Sequence, residues 1–178
     1  MPEKKYQIIY ADPPWTYQKW VWKDKSIKDL NDFYPTMSLN EIKGLSIPKD
    51  DNCWLVLWTT VPKIEEGLEV LHAWGFDYRT SGVWNKGNGL GFFFRIYHEI
   101  ILIGKYGNPP KPLYSRKSIF SEPRRKHSQK PDKVKRWIED VFPNLSKIEL
   151  FAREKAPGWD AVGYDIDGRG IRQSLEEI

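Results

Sequence analysis

The chain has 178 residues, 40% hydrophobic and 29% charged, a balance that excludes disorder and suits one domain of the usual roughly 100–200 residues. No apolar run approaches the ~18 residues of a membrane span, no signal-peptide core follows the N-terminus, and the single Cys53 excludes a disulfide framework or a zinc site of several thiolates. The net charge of +4 is uneven: residues 111–136 carry ten Lys/Arg against two acids and stand at +8, which leaves −4 for the remainder. A cytoplasmic protein with no membrane contact and no metal is expected, and the basic segment suggests a polyanion partner such as nucleic acid.

In chain order, Tyr6–Ala11 is a short apolar strand that stops at Asp12-Pro13-Pro14, where two prolines forbid ladder hydrogen bonds. Ser38 and Glu41 have capping-box spacing and open a short helix that ends near Gly44. Residues 53–58 are continuously apolar, as expected of a strand covered on both faces, and Trp54 and Trp58 share one of them. Pro62 suits a first helical turn; Ile64, Leu68, Val70 and Leu71 then make a roughly helical stripe that ends at Gly75. Residues 79–85 and 98–104 read as two further strands. Pro131 opens a helix in which Val134, Trp137, Ile138, Val141 and Phe142 recur at helical spacing, and residues 147–152 form a final strong strand. This alternation predicts an α/β domain with a mostly parallel sheet and helices on both faces. The stretches 15–31 and 108–127 are long, polar and aromatic, and read as functional loops. One domain over 1–168 is expected, with a weakly ordered tail over 169–178.

The sharpest feature is Asp12-Pro13-Pro14-Trp15 directly after a strand, because ligands of open α/β sheets bind beyond the carboxyl ends of the strands. The prolines fix φ and remove two N–H donors. What remains is an acceptor-rich corner, the Asp12 carboxylate and the Pro13 carbonyl, beside the flat face of Trp15. Such a corner suits the exocyclic amino group of a base. That nitrogen is a poor nucleophile because its lone pair is delocalised into the ring. Two rigid acceptors that take both of its hydrogens pull it toward tetrahedral geometry and free the lone pair. An electrophile held in line completes the requirement.

Asp12-Pro13-Pro14-Trp15 resembles the DPPW motif of the adenine-N6 methyltransferases of the MT-A family, the seventy-kilodalton subunit type. Further blocks resembling that family follow in order: Tyr34-Pro35-Thr36-Met37-Ser38, residues 54–59, Gly89-Leu90-Gly91 with Phe94-Arg95 and His98-Glu99, Ser128-Gln129-Lys130-Pro131, and residues 148–153 with Gly158-Trp159. The resemblance implies S-adenosylmethionine as methyl donor and a Rossmann-like methyltransferase fold with a permuted motif order. It also implies methylation of N6 of adenine in nucleic acid, with DNA slightly favoured over RNA. By the same resemblance Asp12, Pro13, Pro14 and Trp15 are catalytic, and Asp12 and Pro13 also touch the methionine end of the cofactor. Lys130 binds the methionine carboxylate, Glu149 and Phe151 lie at the end of the cofactor strand, and Arg153 reaches the ribose or carboxylate. There are two departures. The chain begins eleven residues before Asp12, so an upstream acid–aliphatic pair that some relatives use for the cofactor's adenine is not expected. Gly163 is followed by Tyr164-Asp165, where some relatives carry Asn-Gln; Gly163 and Tyr164 are retained as cofactor candidates.

Interleaved aromatic and basic residues are the pattern of nucleic-acid grooves. Two loops, 15–25 and 116–130, are therefore expected to clasp the substrate strand around a flipped adenine. Trp15, Tyr17, Tyr34, Arg95, Arg116, Arg124, Arg125 and Lys126 are the substrate-binding candidates. Assembly is open between a homodimer and a partner subunit. The competing reading is a catalytically silent nucleic-acid-binding subunit of a methyltransferase complex, against which the intact Asp12-to-Trp15 corner and Lys130 speak. Plainer readings also exist: Asp-Pro-Pro as a strand-ending turn, Lys130-Pro131 as an ordinary helix start, and Glu149 as a solvent-facing edge residue.

Overall fold

Side chains along Tyr6–Ala11 alternate in direction, and every one from Ile8 onward is buried. Ile9 and Ala11 join one apolar cluster, while Ile8 and Tyr10 join another on the opposite face. A strand buried on both sides belongs at the centre of a sheet that is covered above and below. The computed structural model, which describes residues 4–17, 36–87, 89, 91, 93–123 and 129–178, has that architecture.

Its elements are β1 (Tyr6–Ala11), α1 (Leu39–Lys43), β2 (Lys49–Thr60), α2 (Ile64–Ala73), β3 (Asp77–Asn85), β4 (His98–Tyr106), β5 (Ile119–Ser121), α3 (Lys133–Val141), β6 (Lys147–Leu150), β7 (Asp160–Val162), α4 (Tyr164–Asp167) and α5 (Ile171–Glu176). The strands form one seven-stranded sheet in the order β5-β3-β4-β2-β1-β6-β7. β1 pairs in parallel with both β2 and β6, with Ala11 opposite Leu57 on one side and Leu150 on the other. β6–β7 and β3–β5 are also parallel, and only β4 runs against its neighbours β2 and β3. The sheet is therefore mixed but mostly parallel. One reversed strand has a functional consequence: the start of β4 lies at the same edge as the ends of the other six.

Ile42 of α1, Val70 and Leu71 of α2, and Ile171 and Leu175 of α5 fill the first cluster; Val134 and Ile138 of α3 fill the second. Local signals explain the early elements. Ser38 caps α1 in a complete box with Glu41. Pro62 sits in a single 3-10 turn, Val61–Lys63, that leads into α2.

Within the tail expected over 169–178 the structure has a short helix. Residues 171–176 form a helix with Ile171 and Leu175 buried, and the Lys4 N–H donates to the Ile178 carbonyl at 3.3 Å. Six residues give too short a pattern for periodicity to register. The expected loop over 108–127 likewise contains β5, a three-residue edge strand. Among the described residues no helix is long and apolar enough to cross a membrane.

Candidate active site

Parallel strands deliver their carboxyl ends to one edge, and the chain leaves β1 toward β2 on one side while β6 flanks the other. That is the switch point at which open α/β sheets bind ligands. Asp12 is the first residue beyond β1, and Pro13 and Pro14 turn the chain there. The Trp15 N–H donates to the Pro13 carbonyl at 2.9 Å, a tight turn suited to proline's φ at its centre. One lone pair of the Pro13 oxygen is thereby used, and one remains. The Pro14 carbonyl accepts the Met37 N–H at 2.9 Å, which ties the corner to the approach of α1.

Charges from four separate segments meet at this corner. Lys130 Nζ lies 2.9 Å from Asp12 Oδ1 and 3.2 Å from Glu99 Oε2. Lys86 Nζ lies 2.8 Å from Glu99 Oε1. Lys130 also sits over the Trp58 ring, 5.6 Å from its centroid. Burial raises the Asp12 carboxyl above its ordinary value; Lys130 opposes this, and the Glu99 charge adds to it. Burial alone would lower the Lys130 ammonium, but Asp12 and Glu99 together hold its pKa above the ordinary value, so it stays charged. For Glu99 burial raises the pKa, and Lys130 and Lys86 outweigh it, so the net direction is down. Lys86 and Glu99 are not among the expected site residues. Glu99 had two signals, its place in the family-like His98-Glu99 block and an acid opening the apolar run of β4; Lys86 had none.

A second buried pair lies beneath. Glu149, opposite Tyr10 in register, is paired with Lys135 of α3 at 2.5 Å. Burial pushes its carboxyl up, and Lys135 opposes this. Glu149 is thus neither solvent-facing nor the last residue of its strand; its carboxylate is turned under α3. Tyr10 Oη accepts the Trp58 Nε1–H at 2.6 Å. Burial, then the Glu149 and Asp12 charges, raise the Tyr10 phenol well above its ordinary range.

Phe151 directly follows β6 and, among the described non-glycine residues, alone adopts positive φ, at 62°. Strain of this kind gathers where a chain must present groups to a ligand. Gly163 follows β7, and a Cβ there would come within 2.3 Å of the Ala152 carbonyl oxygen, so the close approach of the two strand ends requires glycine. Tyr164 beside it is exposed. Arg153 is exposed, and its charge reaches Asp12.

The substrate candidates are distributed less tidily. Trp15 is only 7% exposed, packs in the first core cluster, and donates its indole N–H to the Trp58 carbonyl at 3.3 Å. The structure does not present an open stacking platform there; the ring anchors the corner. Tyr17 is half-buried, with its hydroxyl 2.6 Å from Thr60 Oγ1 at the end of β2. Arg95 is exposed in the β3–β4 connection. Arg116 pairs with Asp140 at 2.5 Å, near the end of α3 remote from Lys130. Trp54 Nε1, opposite Lys105 near the end of β4, donates to the Pro110 carbonyl, so Pro110 lies toward the end of the sheet remote from Asp12. Tyr34, Arg124, Arg125 and Lys126 lie outside the described residues.

A family model described as MT-A70 matches residues 6–165. The chain is 38% identical to the type II methyltransferase M.MunI of Mycoplasma sp, an alignment that covers 96% of this chain and 82% of that one. It is 31% identical to the N(6)-adenosine-methyltransferase catalytic subunit METTL3 of Homo sapiens, over 92% of this chain but 29% of that one. The Drosophila melanogaster N(6)-adenosine-methyltransferase MT-A70-like protein is 29% identical over 92% of this chain and 27% of its own length.

Proposed function

Since the chain belongs to the MT-A70 family and is an adenine-N6 methyltransferase that uses S-adenosylmethionine, we propose that its substrate is adenine in DNA and that transfer occurs at the Asp12–Lys130 corner. The observation that carries the site is the carboxylate–ammonium pair, 2.9 Å apart, at the end of the central strand. DNA is favoured because the alignment with the type II methyltransferase nearly spans both chains, whereas this chain covers under a third of the adenosine methyltransferases. The strand that leads into Asp12 precedes β6 in the chain, which supports a Rossmann-like fold with permuted motif order in a single domain. A cytoplasmic setting belongs to the same reading, consistent with the lone buried thiol of Cys53, whose pKa burial pushes up to about 12.

The residues present fit the cofactor. Its amino-acid end is a zwitterion, and the corner offers a matched cation and anion: Lys130 for the carboxylate and Asp12 for the ammonium. Phe151, Gly163 and Tyr164 at the neighbouring strand ends would flank the remainder, with Arg153 at the rim. S-adenosylmethionine, when bound, supplies an electrophilic methyl carbon for the amine's lone pair. The chain's own work is positional. Asp12 and the free lone pair of Pro13 accept the two amine hydrogens, and Pro14 with the Trp15 anchor keeps the two acceptors rigid. The transfer turns a weakly basic amine into an acidic one, which then sheds a proton without a strong base.

The basic residues Arg124, Arg125 and Lys126 are proposed to bind phosphates. Neutralising all three is expected to flatten the salt dependence of DNA binding by roughly 0.9 in log–log slope for each phosphate that is no longer paired. Binding isotherms at four salt concentrations check this, and an unchanged slope counts against the loop assignment. The function itself is tested by incubating the protein with labelled S-adenosylmethionine and matched DNA and RNA oligonucleotides, then mapping the modified atom by mass spectrometry. N6-methyladenine in the DNA is expected. Label confined to RNA refutes the DNA assignment, and label on another atom refutes the corner chemistry.

A further inference from the structure

The reading of Asp12 and Lys130 leaves a buried lysine without a task. Lys86 follows β3 by one residue, and Glu99 is the second residue of β4. Their side chains are 15% and 13% exposed, so both ions have been largely stripped of water. Burying such a pair is costly, and apolar residues of similar size often do as well or better for stability. Its geometry suggests another use. The two Glu99 oxygens face different ammoniums, Oε1 toward Lys86 and Oε2 toward Lys130. The Oε2 contact lies off the direction of a hydrogen bond, and that buried oxygen makes none among the described residues. Glu99 therefore acts on Lys130 mainly through charge, and what fixes its orientation is the bond from Lys86 to the other oxygen.

Charge balance points the same way. Asp12, Glu99 and Lys130 by themselves carry one excess negative charge in a buried corner, and Lys86 neutralises it. The groups acting on Asp12 come from every neighbouring element: Lys130 before α3, Glu99 on β4, Arg153 beyond β6, Glu149 on β6 with Lys135 beneath it, and the Tyr10 phenol on β1. Among these, Glu99 is the acid held within 2.8 Å of a second lysine.

We propose that Lys86 is a positioning residue for methyl transfer: through Glu99 it sets where the Lys130 ammonium stands against Asp12. This rests on the reading of Asp12 and Lys130 given above. The test uses the full chain with Lys86→Gln, Lys86→Arg and Glu99→Gln. Thermal unfolding, affinity for S-adenosylhomocysteine by calorimetry, and the pH profile of kcat/KM are measured for each.

Removing the positive charge at 86 leaves Glu99 sharing Lys130 with Asp12, and the excess negative charge disfavours ionised Asp12. In Lys86→Gln the acid limb is expected to move up by roughly half a pH unit, less than the about one to three units of a directly contacting cation. S-adenosylhomocysteine is expected to bind several-fold more weakly. Lys86→Arg, which keeps the charge, is expected to restore the acid limb. A simple loss of stability would leave the limb where it is. Should Lys86→Gln fail to fold, Glu99→Gln decides: removing the acid beside Asp12 moves the limb down while affinity still falls, and an unmoved limb overturns the proposal. A folded Lys86→Gln with wild-type limb and affinity also overturns it. Wild-type turnover in Asp12→Ala would instead defeat the underlying reading, so the two failures are separable.

Discussion

Asp12→Ala is expected to lower kcat by at least about 10²-fold, the scale of removing one preorganised partner from a transition state. The carboxylate is one of two acceptors at the corner, and the Pro13 carbonyl cannot replace it, since one of its lone pairs already holds the Trp15 N–H. The fold is expected to survive: the Asp12 side chain is 23% exposed and forms no part of either apolar cluster. Asp12→Asn makes the sharper comparison. It keeps the shape but removes the charge and can turn an NH2 donor toward the substrate amine, so it should also be severely impaired. Single-turnover methyl transfer beside thermal unfolding checks both variants. Turnover within a few-fold of wild type in a folded Asp12→Ala would remove Asp12 from the chemistry.

The same carboxylate sets a pH dependence. Burial raises the Asp12 pKa, so the acceptor form is lost sooner on acidification than for an ordinary aspartate, and activity falls with it. For stability the sign is separate. A carboxyl raised by folding favours the folded state at pH below its ordinary value, and that contribution disappears as pH rises through the raised value. Glu99 runs the other way: its lowered pKa contributes stability above the ordinary glutamate value that is lost as pH falls through the lowered one.

Lys130→Ala is expected to damage cofactor binding and stability together. The side chain is 14% exposed and stands between two acids, so its removal takes the paired ammonium from Asp12 and leaves Glu99 to Lys86. Breaking a buried pair by deleting one partner typically costs about 3–5 kcal/mol. Loss of a charge-assisted hydrogen bond of about 1.5–3 kcal/mol corresponds to roughly tenfold or more in the dissociation constant of S-adenosylhomocysteine. DNA affinity should change little, since Lys130 is turned inward. The stability deficit should shrink on acidification, because both carboxyls then take up protons in the variant. Calorimetric titration and unfolding at two pH values check this. Wild-type affinity for S-adenosylhomocysteine in the folded variant would reject Lys130 as a cofactor ligand.

Much of this protein was determined locally. The apolar run of Tyr6–Ala11, the Ser38–Glu41 capping box and the helical spacing that opens with Val134 each depend on residues a few positions apart, and each formed where its pattern places it; the strand expected over 147–152 formed as Lys147–Leu150. The corner itself belongs with them, because two prolines constrain their own backbone whatever surrounds them. Only the tertiary structure decided which charges meet there. Residues 12, 86, 99 and 130 converge because β4 alone is reversed, which brings its first residues to the edge where β1, β2, β3 and β6 end. Only the tertiary structure, too, sets Arg116 against Asp140 of α3, though its neighbours in sequence resemble those of a substrate loop. Trp15 shows the limit most plainly: its identity is local, but its burial depends on the Trp58 carbonyl and on a core assembled from distant segments. Periodicity and capping act over a few residues, whereas strand order and direction are settled by the burial of whole faces, and on those the site depends.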